Sequence, residues 1–230
     1  TGGVFATSAD LNFAFATQVT SPPALDGTWA GWETAKVITF GDDASQVRQP
    51  QEAGETYDGT SDIQGQFRMM WDQQYLYLGV ESLDNDFVRQ LKRGRSGFMG
   101  DSIEFAVQPD HILKNAVPYF EYELYLPQSE DSYAASRRFP LPVQMVAGWK
   151  ATVKPTGKRG NAVYQVALPW KDLGVTDAKA GKLIGFALVL NDKDNPQAPY
   201  SGGRCRIKWF DGVDGAKSPA FFGDVILGGQ

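Results

Sequence analysis

Apolar side chains recur at every second position in short runs along most of this chain, and Gly, Pro, Asp or Asn bounds the runs. That period is the mark of strands that bury one face. Strands are expected over 12–16, 37–40, 66–71, 75–81, 101–107, 119–126, 149–154, 163–168, 183–190, 205–209 and 220–227. Helical character is confined to a turn at 170–173, after Pro169, and a shorter turn at 31–34. Polar stretches at 42–60, 88–100 and 192–204 read as loops. No repeat or linker divides the chain, so residues 1–230 are expected to form one all-β domain. Many short strands with frequent turn signals point to an antiparallel β-sandwich, jelly-roll or immunoglobulin-like.

Successive side chains of a strand point to opposite faces. Ile103, Phe105 and Val107 therefore share one face, and Ser102, Glu104 and Ala106 the other. Phe120, Tyr122, Leu124 and Leu126 oppose Glu121, Glu123 and Tyr125 in the same way. The apolar sets are assigned to the core. Glu104, Glu121, Glu123, Tyr125, Tyr77 and Gln165 are expected to pool on one polar sheet face, which suits sugar hydroxyls. A plain solvated face reads equally from the pattern, since antiparallel sheets commonly have one.

The run Met69-Met70-Trp71-Asp72-Gln73-Gln74-Tyr75-Leu76-Tyr77-Leu78-Gly79-Val80, taken with Asp101-Ser102-Ile103-Glu104-Phe105, resembles the core signature of carbohydrate-binding module family 9. It also resembles that family's relatives in the DOMON superfamily of β-sandwich domains. Pro23-Ala24-Leu25-Asp26-Gly27 with Trp32, Trp149 to Val153, Val166 to Trp170, Gly185-Phe186 with Asn191-Asp192, and Phe222 to Leu227 follow in the family's order. The resemblance implies a non-catalytic module of a larger secreted glycan-active enzyme, binding a poly- or oligosaccharide. In that family two tryptophans sandwich a terminal sugar. Phe98 stands at the first position, while Gly212 to Lys217, at the second, holds no aromatic residue. Glu104 matches the sugar-bonding glutamate, and the family's Arg and Asn fall at Glu123 and Tyr125. Replacement stacking is open to Trp149, Trp209 and Tyr125, each of which reads equally as packing.

Composition narrows the partners. A net charge of -5 does not suit a phosphate backbone, so nucleic acid is not expected. No apolar run reaches membrane-spanning length. One cysteine and one histidine, Cys205 and His111, cannot build a Cys/His zinc site. The resemblance raises calcium, which takes oxygen ligands. Asp84 and Asp86 form one candidate set, and Asp192 and Asp194 another. The basic island Lys92-Arg93-Arg95 precedes Phe98 and would favour an anionic polysaccharide if it borders the site. An acidic, Trp-rich β domain opening at Thr1-Gly2-Gly3 is expected to be an excised or mature piece of a bacterial secreted protein, extracellular or periplasmic, and monomeric.

Two other readings stay open. DOMON relatives can hold haem b with Met and His or Lys, which directs attention to Met69, Met70, Met99, Met145 and His111. Glu104, Glu121 and Glu123 could instead form a glycosidase pair, if their separation suits one.

Overall fold

The computed structural model describes residues 13–48, 57–89, 97–128, 130–157, 160–195 and 205–229. The strands are β1 (Phe13–Gln18), β2 (Ile38–Phe40), β3 (Val47–Arg48), β4 (Ile63–Trp71), β5 (Tyr75–Asp84), β6 (Ser102–Gln108) and β7 (Phe120–Tyr125). They continue with β8 (Ala134–Phe139), β9 (Gln144–Val146), β10 (Lys150–Pro155), β11 (Ala162–Pro169), β12 (Leu183–Asp192), β13 (Cys205–Trp209) and β14 (Gly223–Leu227). Among the described residues helix is limited to single 3₁₀ turns, one of them Trp170–Leu173, where a turn is expected, and 31–34 holds the expected short turn without helix.

All fourteen strands join one curled sheet, in the order β10-β11-β5-β4-β1-β14-β12-β6-β7-β8-β9, with β13 beside β12 and β3, and β2 beside β4. The sheet is mixed, not antiparallel throughout: β1 runs parallel to both β14 and β4. Parallel neighbours need no hairpin between them. β1 and β14 lie at opposite ends of the chain, and the long segment 19–62 separates β1 from β4, so no tight turn dictates direction.

Side chains from both halves of the strand order gather in one main core. Phe67, Leu78, Val80, Tyr164 and Val166 from one half meet Phe105, Leu124, Phe186 and Leu188 from the other. Burying a side chain of this size stabilises by roughly 1.5–3 kcal/mol. Three buried tryptophans satisfy their indole N–H groups on backbone: Trp71 on Gly228 at 2.9 Å, Trp170 on Asp72 at 2.8 Å and Trp32 on Ala24 at 2.8 Å. Each ties two chain segments together while the ring stays buried.

The alternation in β6 and β7 runs as expected. Ile103, Phe105, Tyr122 and Leu124 enter the core, and Glu104, Glu121 and Glu123 point outward. Tyr77 and Gln165 do not join them. They belong to β5 and β11 in the other half, whose outer face is covered by the segment carrying Trp29 and Trp32. Gln165 bonds the backbone of Gly27 at 2.9 Å and Thr28 at 2.6 Å, and Tyr77 donates to Asp72 at 2.6 Å. The pooled polar face therefore divides between two surfaces.

Candidate carbohydrate-binding face and carboxylate cluster

On the outer face of β12-β6-β7-β8, adjacent strands set polar residues side by side. The register places Glu104 opposite Glu123, and Glu123 opposite Ser136. Asn191 of β12 donates to Glu104 Oε1 at 3.0 Å and to Ser102 Oγ at 3.2 Å. Ser136 donates to Glu123 Oε1 at 2.5 Å, and Arg138 lies 3.5 Å from the same oxygen. Lys217 bonds Glu121 at 2.5 Å. Three outward carboxylates are thus matched by an amide, a hydroxyl and two cations.

Burial raises the Glu123 carboxyl above its usual range, opposed by Ser136 and Arg138 and reinforced by Glu104. Burial likewise raises Glu121, opposed by Lys217.

The turn Gly97–Met99 lies over this row. The Phe98 N–H donates to Glu123 Oε2 at 3.2 Å, and the Arg138 guanidinium sits 4.9 Å above the Phe98 ring. A Cβ at Gly97 would fall 2.1 Å from the Tyr125 ring, so backbone and ring are in direct contact. As a result Glu123 and Tyr125 have no exposed surface. They lie beneath the turn, where Glu123 accepts from the Phe98 N–H and pairs with Arg138, and not open on the face as a sugar contact would be. Phe98 and Arg138 are half-buried and Glu104 is buried at the edge.

Trp149 and Trp209 take the packing alternative. Both are core residues: Trp149 packs on Tyr122 and Phe105 and donates to Asp172 at 2.8 Å, while Trp209 packs on Phe67 and Phe186. Both rings are buried. Ser136, Arg138 and Asn191 were not singled out for this face. Ser136 and Arg138 lie on β8, whose sequence Ala-Ala-Ser-Arg-Arg-Phe lacks clear alternation and which pairs with β7 through a register shift. Of the basic island, Lys92, Arg93 and Arg95 lie outside the described residues. His111 bonds Asp224 at 2.7 Å, and Met69 and Met70 occupy opposite faces of β4.

A second cluster lies where β5, β6 and β12 meet. Carboxylate oxygens of Asp84, Asp101 and Asp192 gather within 4.8 Å of one another, and those of Asp62, Asp192 and Asp194 do the same. Asp101 accepts from the backbone of Val88 at 2.6 Å and Lys193 at 2.8 Å. Both Asp192 oxygens and Asp84 Oδ2 are buried without a hydrogen-bond partner. Burial and mutual repulsion push Asp84 up to about 8 and Asp192 up to about 11, and hold Asp101 well above its usual range. Buried oxygens left without donors, converging from several chain segments, fit a hard cation that prefers oxygen ligands. Asp84, Asp192 and Asp194, expected as ligands, belong to these sets. Asp86 does not: its side chain is exposed, and its N–H donates to Asp84 Oδ1 at 2.8 Å. Asp62 and Asp101 were missed because each lies far along the chain from Asp192.

The model of the family described as carbohydrate family 9 binding domain-like matches residues 32–230. A family 9 carbohydrate-binding module from Caldicellulosiruptor kristjanssonii, solved with glucose, superposes with a TM-score of 0.64 at 15% identity, covering 95% of this chain and 96% of that one. A structure of such a module from the same organism with cellotriose gives 0.60 at 17% identity, covering 95% and 94%. No curated protein sequence matches the chain. The match of the family model over most of the sequence, together with these likenesses in fold, places the chain in the carbohydrate family 9 binding domain-like family.

Proposed function

We propose that this protein is a non-catalytic carbohydrate-binding domain whose ligand, an oligosaccharide or the end of a polysaccharide, meets the outer face at Glu104, Arg138 and Phe98. The carrying observation is the row Asn191–Glu104–Glu123–Ser136, in which each outward carboxylate is held by a neighbouring strand. Fixed acceptors of this kind bind hydroxyls with little reordering. Family membership supports the reading, as do the glucose and cellotriose bound by the similar modules. Of the three glutamates, Glu104 serves here as the acceptor, while Glu121 is held by Lys217 and Glu123 by Ser136, Arg138 and the Phe98 N–H, and none is read as half of an acid–base pair.

The same reading includes a structural calcium ion held by Asp84, Asp101 and Asp192, with Asp62 and Asp194 beside them. The ion would supply the positive charge that these oxygens lack, and would tie β5, β6 and β12 together. We further read the whole chain as a single β-sandwich domain of jelly-roll type, related to the DOMON superfamily, acting as a monomer. It would belong to a larger glycan-active protein outside the cytoplasm, bind no nucleic acid and span no membrane.

Calorimetric titration with cellotriose and with neutral and anionic polysaccharides tests the proposal. Glu104→Ala removes a charged acceptor of a kind that contributes about 1.5–3 kcal/mol, so affinity falls by roughly 10- to 150-fold. Phe98→Ala weakens binding while leaving the folded state intact by circular dichroism. Undiminished binding by both variants places the site elsewhere.

A further inference from the structure

Beside the glutamate row lies a groove of about 600 Å³, within the usual size range of small-ligand sites. Glu121, Arg138 and Lys217 form its polar wall, and Glu121 and Arg138 also border the row itself, so groove and polar face are continuous. The remaining wall is apolar. Tyr119 and Phe139 stack at 4.4 Å with their planes 16° apart, and Leu141 and Val143 complete the surface. Leu141 is 71% exposed, an unusual position for a large apolar side chain in contact with a groove.

This wall is unsuited to a bare sugar. A pyranose carries hydroxyls around its rim, and those pressed against Leu141, Val143 and the prolines would lose water and gain no partner. Tyr119 is buried and one of its faces is covered by Phe139, so the Tyr119 ring does not serve as an open platform for a sugar ring. An aromatic group meets neither difficulty. It has no rim hydroxyls to satisfy, and its polar attachment can lie towards Arg138 and Lys217.

We infer that the groove is a subsite for an aromatic substituent carried by the sugar bound at Glu104, either an aryl ester or an aryl aglycone. The inference rests on the carbohydrate reading above and specifies its ligand: a glycan decorated with aromatic groups. The polar row holds the sugar, and the groove takes the ring attached to it.

Two matched pairs test this by calorimetry: 6-O-feruloylglucose against glucose, and phenyl β-cellobioside against methyl β-cellobioside. The aryl member of at least one pair binds tenfold tighter or better. Leu141→Asp, a change at an exposed position, abolishes that gain and leaves the affinity for the plain sugar unchanged. Equal affinities within twofold in both pairs overturn the inference. If neither plain sugar binds, and cellotriose and the polysaccharides also do not, the carbohydrate reading fails by itself, and methyl resonances decide the groove separately. Shifts of the Leu141 and Val143 methyls on adding the aryl compounds then support an aromatic site, and unmoved methyls overturn it.

Discussion

Removing calcium from the loaded protein should lower its melting temperature by several degrees. Asp84, Asp101 and Asp192 are each at most 3% exposed, and their oxygens gather within 4.8 Å. With the cation present their charges are neutralised; without it, burial and mutual repulsion oppose ionisation of the cluster. An ion that binds only the folded state at about 100 times its Kd stabilises that state by about 2.7 kcal/mol. A domain of this size shifts by roughly 2–4 °C per kcal/mol, so a fall of about 5–11 °C is expected. Differential scanning calorimetry in calcium, in excess EDTA, and in EDTA followed by calcium reads the shift and its reversal. Magnesium demands tighter octahedral geometry and dehydrates reluctantly, so it should restore the loss poorly. Asp192→Asn keeps the side-chain volume and removes one charge; it should abolish the calcium response without lowering the calcium-free melting temperature. Identical melting temperatures in calcium and EDTA refute the assignment, and so does an Asp192→Asn variant that still responds.

Two further substitutions separate the binding face from the core. Gly97→Ala puts a Cβ where the Tyr125 ring now lies, which displaces the turn bearing Phe98; sugar affinity should fall at least fivefold by calorimetry. Trp149→Phe removes the bond to Asp172 and should cost about 1 kcal/mol in urea unfolding, with sugar affinity unchanged because the ring lies in the core.

The parts of this fold legible in the sequence are those governed by local periodicity. The ends of β13 match the expected 205–209, and the opposite faces of Glu104 and Phe105 follow from alternation alone. What stayed hidden depends on how distant strands are ordered. Alternation assigns Gln165 and Glu123 each to a polar face, but only strand order shows that β11 and β7 belong to different halves of the sheet. Trp149 precedes β10 and Trp209 ends β13, and either ring is as consistent with a surface platform as with a core until curvature turns both inward. Strands β8 and β9 went unseen because β8 mixes small and charged residues and changes register. Asp62 and Asp101 carry no local mark as ligands, and the curled sheet alone brings them to Asp192.

The two clusters share their strands, and this predicts that they are thermodynamically coupled. Asn191 points outward and donates to Glu104, while its neighbour Asp192 enters the carboxylate cluster. On β6, Asp101 enters the cluster immediately before the strand that carries Ser102 and Glu104. The pairing of β12 with β6 is therefore fixed at its Asn191–Ser102 end by the side chains that would hold the ion. Loss of the ion removes the tie between the side chains at that end, which loosens the alignment of Asn191 with Glu104 and weakens the acceptor presented to a sugar. Coupling between sites of this kind typically amounts to about 1–3 kcal/mol, so cellotriose should bind about 5- to 150-fold more weakly in EDTA than in calcium. Reciprocity makes a second demand: saturating cellotriose must tighten calcium binding by the same factor. Titrations of each ligand with and without the other close the cycle. Equal sugar affinity in both conditions, from a protein whose melting temperature does respond to calcium, would mean that the ion stabilises the fold without setting the geometry of the binding face.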